Sequence, residues 1–276
     1  MFEKTRIFPS RLKWPITTNN VGDANPNTEA LRLVSKAVGF DKLFELKQLS
    51  ALWCFGIDQK KLNQISNCKS LTKLYLDYQL RFDDLGPLHK LSLLDVLRLD
   101  SCSRISSLEA LEQLGQLTGL AIENFKNVHN ITPLSKLTNL RELAVEGSIW
   151  TRMKINSLEP ITSLTNLEYL SLSNLKVIDN SLAPLHDLKN LKQLLTANFY
   201  PSAEFARLAG KLPGCECQWF EPFVSTTLHC DKCGMATRVI LSGKGTSMLC
   251  SRCDAEKLQR HVDEFERIKK RASEGK

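Results

Sequence analysis

Cys230, Cys233, Cys250 and Cys253 form two CxxC pairs separated by sixteen residues. Two such pairs about 15–20 residues apart supply four thiolates to a single tetrahedral Zn²⁺. Four sulfur ligands leave no open position for water or substrate, so the ion expected here is structural and not catalytic. A thioredoxin-like redox role needs one CxxC at a strand-to-helix junction, not two at this spacing. A RING-type domain needs ligands for two zinc ions, and one set is present. His229, beside Cys230, is read as a surface histidine and not as a ligand.

Ligands so far apart meet only if the intervening chain folds back. The segment "ATRVILSGKGTSML" carries a β-rich run, a turn at Gly243-Lys244-Gly245 and a returning strand, a hairpin that joins the two knuckles. Its "SGKGTS" lacks the GxxxxGK[ST] order of a phosphate loop and is a turn. Residues 228–254 thus resemble the zinc ribbon family, whose members are nucleic-acid binders, docking modules or structural elements. Beyond Cys253, Asp254 stands where it would cap a helix with Leu258, Val262, Phe265 and Ile268 along one face. That stripe is expected to pack on the ribbon or on the element before it. The terminal "RIKKRA" places positive charge where a helix end favours it.

Ahead of the cysteines, LxxLxL recurs at Leu71-Leu74-Leu76, Leu94-Leu97-Leu99, Leu117-Leu120-Ile122, Leu140-Leu143-Val145 and Leu167-Leu170-Leu172. A degenerate copy precedes them at Leu49-Leu52-Cys54, and a terminal one begins at Leu191-Leu194. Successive starts fall 22, 23, 23, 23, 27 and 24 residues apart, about seven turns of one coil. A second leucine pattern, as in "LGPLHKLS" and "ITPLSKLTN", completes each copy. Residues 46–200 resemble the leucine-rich repeat family in its internalin-type branch. The resemblance implies an α/β solenoid, a curved parallel sheet with short helical or 3-10 returns, and says almost nothing of function. One family feature is missing: the position that usually holds an inter-turn asparagine carries Gln79, Cys102, Phe125, Ser148 or Leu175. Another residue must supply those bonds, or that rim is looser.

With the leucines inside, alternation sends their neighbours to the concave face. One column reads Trp53, Tyr75, Arg98, Ala121, Ala144, Ser171, Leu195; the next reads Phe55, Asp77, Asp100, Glu123, Glu146, Ser173, Ala197. A third reads Ala51, Lys73, Val96, Gly119, Glu142, Tyr169, Gln193. Four successive carboxylates, Asp77, Asp100, Glu123 and Glu146, repel one another at strand spacing, a cost that a binding role would explain and that mere solvation also permits. The expected partner surface comprises Trp53, Phe55, Tyr75, Asp77, Arg98, Asp100, Glu123, Glu142, Glu146 and Tyr169. An acidic stripe with aromatics at one end suits a basic protein segment and not a phosphate backbone.

Open solenoid ends need covers. At the amino end, "NTEALRLVSKAVGF" begins with cap-like Asn27 and Thr28 and has Leu31, Val34 and Ala37 at helical spacing, which predicts a capping helix. The arm before it carries Lys4, Arg6, Arg11 and Lys13, read as a solvated flank. At the other end, "SAEFARLAGKLPG" predicts a short amphipathic helix, and "CECQWF" a half-buried strand with Cys215, Cys217 and Trp219 on one face. A CxC metal site is the lesser reading of those cysteines. The expected divisions are 1–45 arm and cap, 46–200 repeats, 201–221 carboxyl cap, and 222–276 ribbon and helix.

A chain of 276 residues with formal charge +7 and interspersed charges gives only weak support to nucleic acid or membrane as partner. Neither a secretory leader nor a membrane span is legible, and nine cysteines without secreted-domain spacing point to a reducing compartment, the cytoplasm. No paired carboxylates, Ser/His/Asp set or cofactor loop supports an enzyme. The expectation is a non-catalytic protein-interaction scaffold. The alternative is nucleic-acid binding through Lys232, Arg238, Lys244, Arg252 and the basic tail. The oligomeric state stays open.

Overall fold

The computed structural model describes residues 5–9, 14, 17–245 and 247–275; Lys4, Arg11 and Lys13 lie outside them. Two leucine periods alternate through the repeats. Leu85, Leu88, Leu91 and Leu94 recur every third residue, the amides of the last three each bonding the carbonyl three residues back, and all are buried. Three residues per turn stack side chains i and i+3 on one face, so this period selects a 3-10 return. Pro87, Pro133, Pro160 and Pro184 sit near the starts of such turns, where a fixed φ and a missing N–H cost nothing. The period then drops to two, and the chain extends into a strand.

The elements in order are β1 (Thr17–Asn20), β2 (Ala30–Val38), β3 (Ala51–Phe55), α1 (Gln59–Ile65), β4 (Lys73–Asp77), β5 (Val96–Asp100), β6 (Gly119–Glu123) and β7 (Glu142–Glu146). They continue as β8 (Met153–Ile155), β9 (Tyr169–Leu172), β10 (Leu175–Val177), β11 (Gln193–Thr196), α2 (Ser202–Lys211), β12 (Phe223–Ser225), β13 (Arg238–Leu241), β14 (Met248–Cys250) and α3 (Ala255–Ser273). Among the described residues, nine strands form one parallel sheet in the order β1-β2-β3-β4-β5-β6-β7-β9-β11. This is the leucine-rich repeat solenoid. The 27-residue spacing is absorbed outside the sheet by a loop at Ser148–Thr151, where Ile149 and Trp150 are 86 % and 89 % exposed, and by the pair β8–β10.

The missing asparagines are replaced from another part of the coil. Gln116, Asn139, Asn166 and Asn190 donate side-chain N–H bonds to the carbonyls of Leu91, Gly115, Thr138 and Thr165 at 2.8–3.1 Å, each one coil back. At the vacated rim Cys102 turns inward, its thiol 3.4 Å from the Phe82 carbonyl, and Phe125 and Leu175 join the core. Asn166→Ala is expected to lower stability by about 0.5–1 kcal/mol, measured as a shift in urea midpoint at unchanged slope.

The amino end corrects one expectation. Residues 30–38 form a strand, not a capping helix, with Leu31 opposite Leu52 and Leu33 opposite Cys54. Without it the outer edge of β3 would leave a row of backbone groups unpaired, a cost that outweighs helical spacing. β1 then pairs with β2, and Phe40 and Leu43 in the following 3-10 turn cover the coil. At the carboxyl end α2 forms as expected, with Phe205 and Leu208 buried. The strand expected at 215–219 is reduced to a single bridge between Glu216 and Gln193. The Trp219 indole takes the Thr196 carbonyl at 2.9 Å, and the chain turns away.

β12, β13 and β14 make a small antiparallel sheet, and α3 runs back from it to the coil. Leu258 packs with Val239, Leu241 and Leu249 of the ribbon, whereas Phe265 belongs to the leucine core. One helix therefore ties the ribbon to the last repeat. Its crossing with α2 is close: a Cβ on Gly210 would clash with the Lys269 carbonyl oxygen. Among the described residues no helix is long and apolar enough to cross a membrane.

Candidate metal centre and concave face

Turns at both knuckles bring the four cysteines together. The Cys230 carbonyl accepts the Gly234 amide at 2.8 Å, with Gly234 at φ +68°, a conformation that glycine adopts without strain. The Cys253 amide points at the Cys250 sulfur, 3.3 Å away. All four Sγ atoms lie within 4.8 Å of one another, and Cys233 and Cys250 are 3.8 Å apart. Sulfurs at about 2.3 Å from a tetrahedral Zn²⁺ stand roughly 3.8 Å apart, so the donor set fits such an ion. N–H and hydroxyl donors pull the Cys250 thiol down to about 6, while neighbouring sulfur pushes Cys253 up to about 12. Crowded thiolates repel, and a divalent cation would relieve that repulsion. Cys215 and Cys217 differ: burial holds both thiols up at about 12, which suits core packing and not metal ligation.

Asp254 does not cap α3 with its side chain. Its carboxylate instead reaches back to the Cys250 amide at 3.0 Å and bracing Lys232 at 3.7 Å, because the knuckle leaves that amide in need of an acceptor. Arg238 is likewise spent within the module, on the His229 carbonyl at 2.9 Å and on Asp231. The hairpin turn is fastened to the coil: Asn198 bonds both Leu241 O at 2.9 Å and Gly243 N at 2.6 Å. Gly243 has φ +123°, and a Cβ there would meet the Ser202 backbone nitrogen at 2.7 Å.

The concave columns stand in the register expected. Trp53, Tyr75, Arg98, Ala121, Ala144, Ser171 and Leu195 are successive cross-strand partners. The carboxylates, however, are not a bare stripe. Arg98, 8 % exposed, bonds Asp77 at 3.0 Å and Glu123 at 2.6 Å and lies 3.9 Å from Asp100. Trp53 donates to Asp77 at 2.7 Å, and the Ser171 hydroxyl donates to Glu146. Burial raises the carboxyls of Asp77, Glu123 and Glu146 above their ordinary range, opposed mainly by Arg98 for the first two and by Ser171 for the third. At one end Arg32 lies over the rings of Trp53 and Phe55, 4.4 and 5.2 Å from their centroids.

The chain's own amino-terminal arm covers much of this face. Arg6, expected to be solvated, donates to Asp95 at 2.6 Å, Thr118 at 2.7 Å and Glu142 at 3.1 Å. Its amide bonds Glu142 at 2.7 Å, and its carbonyl accepts from the Tyr75 hydroxyl at 2.8 Å. Ile7 is fully buried among Tyr75, Val96, Ala121, Ala144 and Tyr169. Phe8 meets the edge of Tyr169 at 6.4 Å, and Trp14 meets Trp53 and Tyr75 at 5.5 and 5.8 Å. Of the expected residues, Trp53, Tyr75, Arg98, Glu142 and Tyr169 thus converge on the arm. Asp95 and Thr118, in the turns before β5 and β6, were missed because they precede the alternating positions. A signal was present: Val96, Gly119, Ala121 and Ala144 make an apolar concave floor, and strands apolar on both sides are usually covered on both.

No family model and no curated protein matches the chain. Among solved structures, an internalin from Listeria monocytogenes is 22 % identical over 69 % of this chain and 53 % of its own, with a TM-score of 0.55. A leucine-rich repeat protein from Leptospira interrogans is 19 % identical over 69 % and 48 %, with a TM-score of 0.50. The TLR13 of a complex with ssRNA13 is 20 % identical over 69 % and 28 %, with a TM-score of 0.51. The chain spans about half the length of the first two and less of the third. Identities this low establish the repeat fold alone.

Proposed function

We propose that this chain is a non-catalytic protein-interaction scaffold whose concave face takes a segment of a partner polypeptide. Zn²⁺ is the proposed occupant of the four-cysteine site, with the ribbon and α3 closing the coil. A reducing compartment such as the cytoplasm suits nine free cysteines. The observation that supports the scaffold reading is the seating of Arg6, Ile7 and Phe8: the face has an apolar floor with carboxylates at its rim, and it accommodates a turn-forming segment with an arginine beside apolar side chains. Nucleic acid is the second reading, favoured by the cationic tail and by Lys244 and Arg252. It is weakened by the engagement of Arg238 and Lys232 with carboxylates and by the acidic concave rim, which repels phosphate.

Capture from nuclease-treated extract, followed by mass spectrometry, separates the two. A polypeptide retained by the wild-type chain should be lost from a Glu142→Lys/Tyr169→Ala variant and kept by Lys244→Glu/Arg252→Glu. Retention lost only in the latter, with nucleic acid recovered when nuclease is omitted and a steep salt dependence, would transfer the function to the ribbon.

A further inference from the structure

The described residues of the arm make no ladder pairs. Residues 5–9 belong to no strand, and the backbone bonds of Arg6 go to the side chains of Glu142 and Tyr75. Phe8 nevertheless reaches Tyr169 on β9, and Trp14 reaches Trp53 on β3. Its floor is an apolar cluster separate from the leucine core. Lifting residues 5–9 would therefore uncover Ile7's seat with the described strand pairing of the sheet intact. That is how a ligand sits on a sheet, not how a strand does.

The seat is also selective. The guanidinium forks between Asp95, Thr118 and Glu142, a planar arrangement that a lysine point charge does not reproduce. Gly119 sizes the next position: a Cβ there would stand 3.0 Å from the Ile7 Cγ2. Phe8 lies between Tyr169 and Arg98, whose guanidinium is 5.6 Å from the ring centroid. Two cavities continue past the arm. One of about 530 Å³ lies beside Thr5, lined by Arg141, Glu168 and Lys192. The other, of about 400 Å³, lies beside Phe8, lined by Glu146, Ile149 and Leu195. A longer segment could fill both, and the described residues of the arm fill neither.

We propose that Arg6, Ile7, Phe8 and Trp14 act as an internal ligand of the concave face, and that the partner segment carries the same arginine, β-branched, aromatic order and binds by displacing them. The inference rests on the scaffold reading above. A tethered arm competes at an effective concentration on the order of 1 mM, so a free copy should bind the wild-type chain weakly.

The test is fluorescence anisotropy with a labelled synthetic peptide of residues 5–14, titrated with the full chain. Arg6→Glu/Ile7→Asp, shown to be folded by circular dichroism and a cooperative melt, should bind at least tenfold tighter than wild type. Adding Glu142→Lys should reverse the gain, and a peptide with lysine in place of its first arginine should bind less tightly. A wild-type chain with a 20-residue Gly/Ser insertion after Trp14 keeps every contact but dilutes the arm, and should gain at least threefold. Equal binding of a scrambled peptide, or no gain in the tether-lengthened chain, would overturn the proposal. Partner capture that depends on Glu142 while no variant binds the peptide would overturn this inference and leave the scaffold reading standing.

Discussion

A Cys250→Ser chain will bind zinc substoichiometrically and lose the β12–β14 sheet, while the repeats remain folded. Zinc binding to four thiolates contributes about 10–16 kcal/mol in small modules. Few other interactions are available here, since the ribbon's own apolar cluster is essentially Val239, Leu241, Leu249 and Leu258 with Phe223 and Val262 beside it. Hydrogen exchange should show the ribbon and the first half of α3 exchanging freely, with protection kept in β4 to β9. Chelation of the wild-type chain should give the same pattern. Undiminished zinc content with a protected ribbon in the variant would sink the four-thiolate assignment. Loss of protection throughout the repeats would instead show that the coil needs this closure to fold.

Arg98→Met is the second large effect. The guanidinium is buried and holds Asp77 and Glu123, so its removal leaves a buried and a half-buried carboxylate without their cation, at a cost of about 3 kcal/mol near neutral pH. The deficit should depend on pH with a definite sign. Burial raises the carboxyls of Asp77, Glu123 and Glu146 in the folded chain, so over the window between the ordinary and the raised values the folded state holds protons that the unfolded state has released. Stability therefore rises as pH falls from neutral through that window. The gain is larger where Arg98 no longer favours the ionised forms, so the gap between variant and wild type narrows. Urea midpoints at pH 7 and pH 5 measure this; a gap of constant size would mean that Arg98 acts through packing alone.

The local spacings carried most of the architecture. Leucines at every third and then every second residue determine a 3-10 turn and a strand whatever surrounds them, and the near-constant repeat length stacks equivalent residues, so the concave columns were legible to the residue. The paired CxxC motifs determined the clustering of the four cysteines in the same way, because the turn of each knuckle is local. Tertiary structure decided what depends on neighbours. The 30–38 segment became a strand because β3 offered an unpaired edge. Arg98 became the counter-charge of the acidic column because its side chain is long enough to span two strands. The seating of the arm lay furthest from view. Arg6 meets Glu142 across 136 residues and Tyr75 across 69, separations unrelated to the repeat, and a contact made once in a chain leaves no periodic trace in its sequence.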